Sequence, residues 1–289
     1  MKKFLFILLS IPCIANSQTG SEIYLFDVTF KNGQPVVSSP INMTKREGYN
    51  NQPFFHPQKS IVYYSSVNSN GKTDIRYYDY VDKSASSITY SEEGEYSPTV
   101  TPDGEFISCI IQRSNGTQDL GKYPLNGGEL FILINTLKVG YHVWVDKNSL
   151  LLFVLEDTAG NTLHYYNLKS KEDKVLLRNP GRSLHKIPGS DAVSFVDKSN
   201  KNEWLIKRFD KKTKEISLIA TTLPGREDLC WLNNGLIIMS DGANLFYLDT
   251  NNNQGWKAVS TDTGGLTLKA ITRLAANANN TKLAVVVSQ

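Results

Sequence analysis

Short apolar runs alternate with turn residues along most of the chain. One unit recurs six times: a short strand, a turn rich in Pro, Asp, Asn and Gly, and then a strongly apolar strand such as residues 106–111, 150–155 or 283–287. The turns fall near positions 58, 103, 147, 189, 234 and 279, so successive copies are 42 to 45 residues apart. A repeat of this length is typical of a propeller blade with four strands.

Between the copies, weaker strand patterns supply a third and a fourth strand, for example residues 75–78 and 87–90. Near the start of the chain, residues 23–26 and 41–44 match the last two strands of a blade, and the chain stops after residues 285–287, the second strand of a blade. The two ends therefore complete one blade. We predict an all-β, six-bladed β-propeller with four antiparallel strands per blade, closed by a two-plus-two split blade from the N- and C-terminal strands.

A β-sandwich is the alternative architecture, but it gives no reason for the split terminal blade. The sequence contains no apolar stripe at helical spacing bounded by capping residues. We therefore expect residues 18–289 to form a single propeller domain, and we expect the protein to be a monomer.

The first seventeen residues have the pattern of a secretory signal peptide. Lys2 and Lys3 precede an apolar stretch at residues 4–14, which is too short to span a bilayer, and Ala-Asn-Ser at residues 15–17 fits a cleavage site after Ser17. Cys13 as a lipidated cysteine is the alternative, but the Ile-Pro before it fits a lipobox badly. We predict a periplasmic or secreted protein, with no later segment apolar enough to span a membrane.

Composition and charge narrow the functional classes. The 289 residues are 40% hydrophobic, which excludes a disordered or collagen-like chain, and Lys plus Arg number 31 against 28 for Asp plus Glu. So small a basic excess, without clustering, does not favour nucleic-acid binding. Cys109 and Cys230 lie in apolar strands three blades apart, so we predict buried free thiols rather than a disulfide.

Two copies of the repeat resemble a known family. Residues 96–104 read YSPTVTPDG and lead into Phe106-Ile107, and residues 51–57 read NQPFFHP. Both resemble the PD40 repeat of TolB-like propellers. The resemblance implies an exported six-bladed propeller that acts by binding, and it carries over no partner surface. TolB itself has a mixed helix and strand domain ahead of its propeller, whereas here we expect the propeller to begin directly at residues 23–26.

The first strand of each propeller blade lines the central channel, so residues at the starts of these strands are expected to converge at one mouth. The motif Pro-Gly-Arg occurs at residues 180–182 and again at 224–226, and Lys138 lies 44 residues before Arg182, which suggests an arc of cations facing carboxylates that include Glu93. Such an arc favours either an anion-binding site or ion pairs that simply fill the mouth. The candidate ligand-binding residues are Glu95, Tyr96, Tyr141, His142, Arg182, His185, Arg226, Glu227, Asp228 and Arg273.

Catalytic signals are weak in this sequence. His142 and His185, with Glu95 or Asp228, could hold a divalent metal ion, but no metal-ligand spacing supports this, and we predict neither a metal nor a cofactor. The Gly-x-Ser-x-Gly motif is absent. Our first hypothesis is a non-catalytic module that binds a protein, peptide, glycan or small anion at the polar channel mouth. The alternatives are a metal-dependent hydrolase or lactonase at that mouth, and a structural envelope protein that docks through its blade faces.

Overall fold

The computed structural model describes residues 20–157, 160–252 and 254–288. Every regular element in these residues is a β-strand. The predicted signal peptide, residues 1–17, lies outside the described residues. Within the described part of the chain, no helix is long and apolar enough to cross a membrane.

The strands form six sheets, each with four antiparallel strands, which are the blades of a propeller. Blade numbers follow the chain, and the split blade is blade 6. The N-terminal strands are β1 (Ser21–Lys31) and β2 (Gln34–Asn42). Blade 1 consists of β3 (Asn50–Phe55), β4 (Ile61–Val67), β5 (Thr73–Asp79) and β6 (Ser84–Ser87), and blade 2 consists of β7 (Gly94–Val100), β8 (Phe106–Gln112), β9 (Gln118–Pro124) and β10 (Phe131–Ile134). Blade 3 consists of β11 (Val139–Asp146), β12 (Ser149–Val154), β13 (Thr162–Asn167) and β14 (Asp173–Arg178).

The second half of the chain repeats this plan. Blade 4 consists of β15 (Pro180–Lys186), β16 (Val193–Asp197), β17 (Leu205–Phe209) and β18 (Ile216–Thr221). Blade 5 consists of β19 (Leu229–Trp231), β20 (Leu236–Ser240), β21 (Leu245–Asp249) and β22 (Lys257–Ala258). The short β23 (Ser260–Thr261) follows, and the chain ends with β24 (Ile271–Ala276) and β25 (Lys282–Ser288). The first strands contact one another in the order β3, β7, β11, β15, β19, β24 and back to β3, so the ring is closed.

Blade 6 joins the two ends of the chain, which confirms the predicted split blade. Its order from the centre outward is β24, β25, β1, β2, and β1 pairs antiparallel with β25 from Ser21 opposite Ser288 to Asp27 opposite Lys282. The Lys282 ammonium also forms an ion pair with the Asp27 carboxylate. Because β25 pairs on both of its edges, the C-terminal strand closes the ring.

The structure differs from the sequence prediction at the outer edge of blade 6. The fourth strand, β2, occupies residues 34–42 rather than 41–44, because β1 is long and turns back at Asn32 and Gly33, both at positive φ. Two residues of β23 then pair parallel with β2 on its outer side. This fifth strand covers an edge that would otherwise offer unpaired backbone groups.

The apolar cores lie between neighbouring blades. All six residues of β12 are buried, as expected for a strand covered on both faces by adjacent blades. Cys109 and Cys230 are both buried free thiols, as predicted, and burial raises the pKa of each well above its ordinary value.

Candidate functional site

The central channel forms a cavity with a volume of about 680 Å³. The first strands of all six blades line it. It extends from the starts of these strands to the hairpin turns that follow them, where Pro57, Pro102 and Pro188 are found. We call the strand-start end the floor and the hairpin-turn end the outer mouth.

Each blade contributes one polar side chain to the floor. Side chains alternate between the two faces of a strand, and this brings some of these positions to the channel. In five of the six first strands a local irregularity of pairing also changes which residues face it. In blades 1 and 2 the irregularity is a residue at positive φ followed by proline. The six floor residues are Gln52, Ser97, Tyr141, Arg182, Asp228 and Arg273.

Asp228 is the centre of an ion cluster on the floor. Arg182 donates to it through two nitrogens, from Nε to Oδ1 at 3.1 Å and from Nη2 to Oδ2 at 2.7 Å. Arg273 donates to the same carboxylate, from Nη1 to Oδ1 at 2.8 Å. Burial acts to lower the pKa of Arg182, but the hydrogen bonds and charge of Asp228 outweigh it and raise that pKa. Two guanidinium groups therefore share one carboxylate.

Arg273 also reaches across the ring. Its Nη2 donates to the hydroxyl of Tyr141 at 3.2 Å, and its guanidinium carbon lies 5.6 Å from the centre of that ring. Arg273 is on blade 6 and Tyr141 is on blade 3, which are opposite blades in a ring of six. The contact consequently crosses the channel axis at the floor.

Two further tyrosines stand beside this cluster. The rings of Tyr49 and Tyr96 meet edge to face at 6.2 Å, and Thr73 Oγ1 donates to the Tyr96 hydroxyl at 3.0 Å. Burial raises the pKa of Tyr49, while the nearby charges of Arg273 and Arg182 oppose the rise. Tyr49 was not among the predicted residues, because it precedes β3 and the strand pattern gives no signal there.

Three other candidates, Glu95, Glu227 and Arg226, do not line the channel. Glu95 is fully buried inside blade 2 and accepts hydrogen bonds from hydroxyl groups there. Glu227 lies beside Arg182, whose backbone N–H donates to Oε2 at 2.9 Å, and it also accepts from Lys198 at 3.3 Å. Arg226 is exposed and borders a cleft of about 140 Å³ that Arg182 and Asp228 also line. Lys138 is not among the residues that line this cleft or the channel, and Arg273 supplies the second guanidinium of the floor.

His142 has a defined tautomer. Ser108 Oγ accepts from the indole N–H of Trp144 at 2.9 Å and donates to the carbonyl of Thr99 at 3.0 Å, so its one proton is used. His142 Nε2, 2.8 Å from the same oxygen, must then carry a proton and donate. Its Nδ1 is buried without a partner, and burial lowers the pKa of His142 to about 3.

His185 is also neutral, because burial lowers its pKa to about 4, and its Nε2 lies 2.7 Å from Ser183 Oγ. The two histidines are therefore held in separate hydrogen-bonded pairs. Among the residues that the structure describes, no three His, Cys, Asp or Glu side chains are grouped so that they could hold a metal ion.

Aromatic side chains occupy the channel wall above the floor on alternate blades. Phe54, Trp144 and Trp231 lie on blades 1, 3 and 5, each at a position paired with the second or third residue of the following strand. Thr99, His185 and Ala276 fill the corresponding positions on blades 2, 4 and 6. All six residues line the cavity. We call the three aromatic residues the collar.

Both collar tryptophans also tie blades together. Trp144 Nε1 donates to Ser108 of the preceding blade at 2.9 Å, and Trp231 Nε1 donates to Ser194 of its preceding blade at 2.8 Å. Trp144 is buried in the core next to blade 2, and Phe54 and Trp231 are half-buried against neighbouring cores, so the collar presents only the exposed parts of these rings to the channel. The indole N–H groups are already used, so that exposed part is mainly ring surface.

A hydroxyl, imidazole and carboxylate series occurs outside the channel. Thr162 Oγ1 lies 2.8 Å from His164 Nε2, and His164 Nδ1 lies 2.6 Å from Asp173 Oδ1. Thr162 and His164 are buried, and none of the three is among the residues that line the central channel. The series therefore serves to connect β13 with β14.

Comparisons with known proteins give structural matches. No family model and no curated protein matches the sequence. A protein from Agrobacterium tumefaciens assigned as TolB superposes with a TM-score of 0.68 at 11% identity, covering 94% of this chain and 99% of that one. TolB from Acinetobacter baumannii gives 0.58 at 12% identity over 93% of this chain and 64% of that one. An oligogalacturonate lyase in complex with manganese gives 0.57 at 12% identity, covering 89% and 83%. At such low identity these matches establish the fold.

Proposed function

We propose that this chain, a TolB-like six-bladed β-propeller in fold, is a non-catalytic binding module that holds an anionic group of its ligand at the floor of the central channel. A small anion fits this proposal, as does a protein, peptide or glycan that carries one. We also propose that the protein acts as a monomer in the periplasm or outside the cell, because the ring closes within one chain and the sequence predicts a signal peptide.

The single observation that supports the proposal most strongly is the charge of the floor. Arg182 and Arg273 contribute two positive charges to the cavity, and Asp228 contributes one negative charge. Glu227 beside them forms ion pairs with Arg182 at 3.8 Å and with Lys198 at 3.3 Å, so the three cations and two carboxylates of this cluster leave one positive charge in excess. A ligand anion at the floor would restore neutrality. Guanidinium groups are suited to this because each presents several donors in a fixed plane.

Gln52 and Ser97 add uncharged polar groups on the opposite side of the same floor. Ser97 Oγ is buried without a hydrogen-bond partner, so a ligand oxygen at the floor would give this hydroxyl an acceptor. The floor thus combines cationic donors on one side with neutral donors on the other.

The experiment is a calorimetric titration of the purified protein with phosphate, citrate and glutamate. Arg273→Gln should weaken binding about tenfold to a hundredfold, the usual value of a charged hydrogen bond. Arg208→Gln is the matched control, because Arg208 lies on β17, the third strand of blade 4, outside the channel, and pairs with Asp210 there; it should leave the affinity unchanged. Equal losses in both variants, or no binding of any anion by the unaltered protein, would contradict the proposal.

A metal-dependent hydrolase or lactonase acting at the channel is the alternative function. It would need His142 and His185 as ligands, yet their Nε2 atoms lie 2.8 and 2.7 Å from serine hydroxyls, which leaves only Nδ1 of each ring. Among the described residues, no further His, Cys, Asp or Glu is grouped with them to complete a metal site. Elemental analysis tests it directly. Stoichiometric bound metal, with a loss of thermal stability in chelator, would support the alternative and contradict a non-catalytic module that works without metal.

A further inference from the structure

We infer that the ligand of the channel is an amphipathic carboxylate, with its carboxylate at the floor and an apolar chain or ring within the aromatic collar. This inference rests on the proposed function and adds the chemical class of the ligand. It follows from the different chemistry of the two levels of one cavity.

Above the floor, the wall is apolar on the three blades that carry the collar, whereas Thr99 and His185 are polar, and charged side chains such as Lys147 and Asp191 line the cavity near the hairpin turns. The collar residues Phe54, Trp144 and Trp231 present ring surface to the channel. The prolines that line the cavity near the outer mouth add apolar side chains, and they have no backbone N–H group. The indole N–H groups of both tryptophans already donate to serines. Burying an apolar group here gains free energy without leaving a polar atom unpaired.

The level of the floor is different, because it keeps uncommitted polar atoms. Ser97 Oγ is buried and lacks a partner in the described structure, and its hydroxyl can donate to a carboxylate oxygen. His142 Nδ1 is also buried without a partner, but it is an acceptor in the tautomer that Ser108 defines, so it offers a carboxylate no hydrogen bond. Arg182 and Arg273 carry one positive charge more than Asp228 neutralises. A ligand that matches both levels therefore needs a polar, anionic end and an apolar body.

The collar also argues against an extended peptide in this part of the channel. A peptide carries an N–H and a C=O about every 3.3 Å, and each costs free energy if it is buried without a partner. The tryptophan N–H groups cannot serve as partners while they bond Ser108 and Ser194. A hydrocarbon body meets no such cost.

The direction of entry follows from the floor. Arg273 and Tyr141 meet across the axis there, so the ligand enters from the outer mouth and its carboxylate goes in first. The cavity volume of about 680 Å³ is in the range of sites for small organic ligands.

The test compares four probes by calorimetry and by tryptophan fluorescence: butyrate, decanoate, decyltrimethylammonium and an acetylated tetrapeptide. Each buried methylene should strengthen binding about fourfold, so decanoate should bind at least about a hundredfold more tightly than butyrate. Decyltrimethylammonium, with the same chain and the opposite charge, should bind much more weakly than decanoate.

Variants locate the binding. Trp231→Ala should weaken decanoate binding about tenfold and leave butyrate binding unchanged. Trp256→Ala is the matched control, because Trp256 lies outside the channel and donates to the carbonyl of Thr221. It should leave the affinity for decanoate unchanged.

The outcomes separate this inference from the proposed function. Equal affinity for butyrate and decanoate would overturn the inference while the anion-binding floor stands. Binding of decyltrimethylammonium as tight as that of decanoate would overturn both, because the floor would not select a negative charge. Tighter binding of the tetrapeptide than of decanoate would overturn the proposed ligand class. No binding of any of the four probes would overturn the inference, and it would overturn the proposed function as well only if phosphate, citrate and glutamate also fail to bind.

Discussion

Glu95 makes the stability of this protein depend on pH. Its side chain is fully buried and accepts hydrogen bonds from Ser91, from Thr89 at 3.1 Å and from Tyr123 at 3.1 Å. Burial raises the pKa of Glu95 from 4.5 to about 7, although the three hydroxyl groups oppose the rise and the nearby charge of Asp74 adds to it. The carboxyl group is consequently protonated in the folded protein under mildly acidic conditions.

The size and sign of the effect follow from linkage. Between pH 4.5 and about 7 the unfolded chain has lost the Glu95 proton while the folded protein still holds it. The stabilisation from this group is complete below pH 4.5 and is lost as the pH rises through about 7. At about 1.4 kcal/mol per pH unit, the free energy of unfolding should fall by about 3 kcal/mol over this interval.

The assay is urea denaturation from pH 4.5 to 8 on the unaltered protein and on Glu95→Gln. The neutral amide cannot titrate, so the difference in unfolding free energy between the two should change by about 3 kcal/mol, the variant gaining relative stability as the pH rises. Glu105→Gln, at an exposed position, is the control and should run parallel to the unaltered protein. Parallel curves for Glu95→Gln would refute the reasoning, whatever constant offset the variant shows.

Three other substitutions or deletions test the fold around the channel. Asp228→Ala leaves the guanidinium groups of Arg182 and Arg273 without their shared carboxylate, so urea denaturation should show a fall in unfolding free energy of about 2 to 4 kcal/mol, with a smaller fall for Asp228→Asn. An unchanged midpoint would mean that the two arginines do not need this carboxylate. Trp144→Phe removes the N–H that bonds Ser108 and should cost about 1 to 2 kcal/mol, with much of that cost absent in a Ser108→Ala background. Deleting β25 (Lys282–Ser288) should abolish cooperative thermal unfolding seen by circular dichroism, because this strand joins β24 to β1; a sharp transition at the original temperature would contradict ring closure by the split blade.

The fold could be predicted because each blade repeats two strong signals, a turn and a buried second strand. β12 is buried along its whole length and β25 along most of it, so both are apolar runs in the sequence. Outer strands give no such signal. β22 and β23 have two residues each, and β2 alternates between buried and exposed residues, so its position was predicted wrongly and β23 was missed.

The floor of the channel was only partly predictable, because the facing of a strand residue depends on local irregularities. In β7 the pairing with β8 shifts between Tyr96 and Thr99, so Ser97 faces the channel while Glu95 is buried within the blade. A change of one residue in register reverses the side on which a side chain lies. Spacing alone could not locate this shift, so the sequence prediction named Glu95 instead of Ser97 as a ligand-binding residue.

The ion cluster on the floor has a consequence for how tightly a ligand can be held. Asp228 links Arg182 of blade 4 to Arg273 of blade 6, and Arg273 in turn reaches Tyr141 of blade 3, so side chains from four of the six blades are joined. Side chains already fixed by these contacts lose little conformational freedom when a ligand binds. Because ordering of side chains is one of the main costs of binding, a floor held in this way should retain more of the energy of each charged contact. The contacts that join these four blades at the channel floor therefore also favour the binding of an anion at the floor.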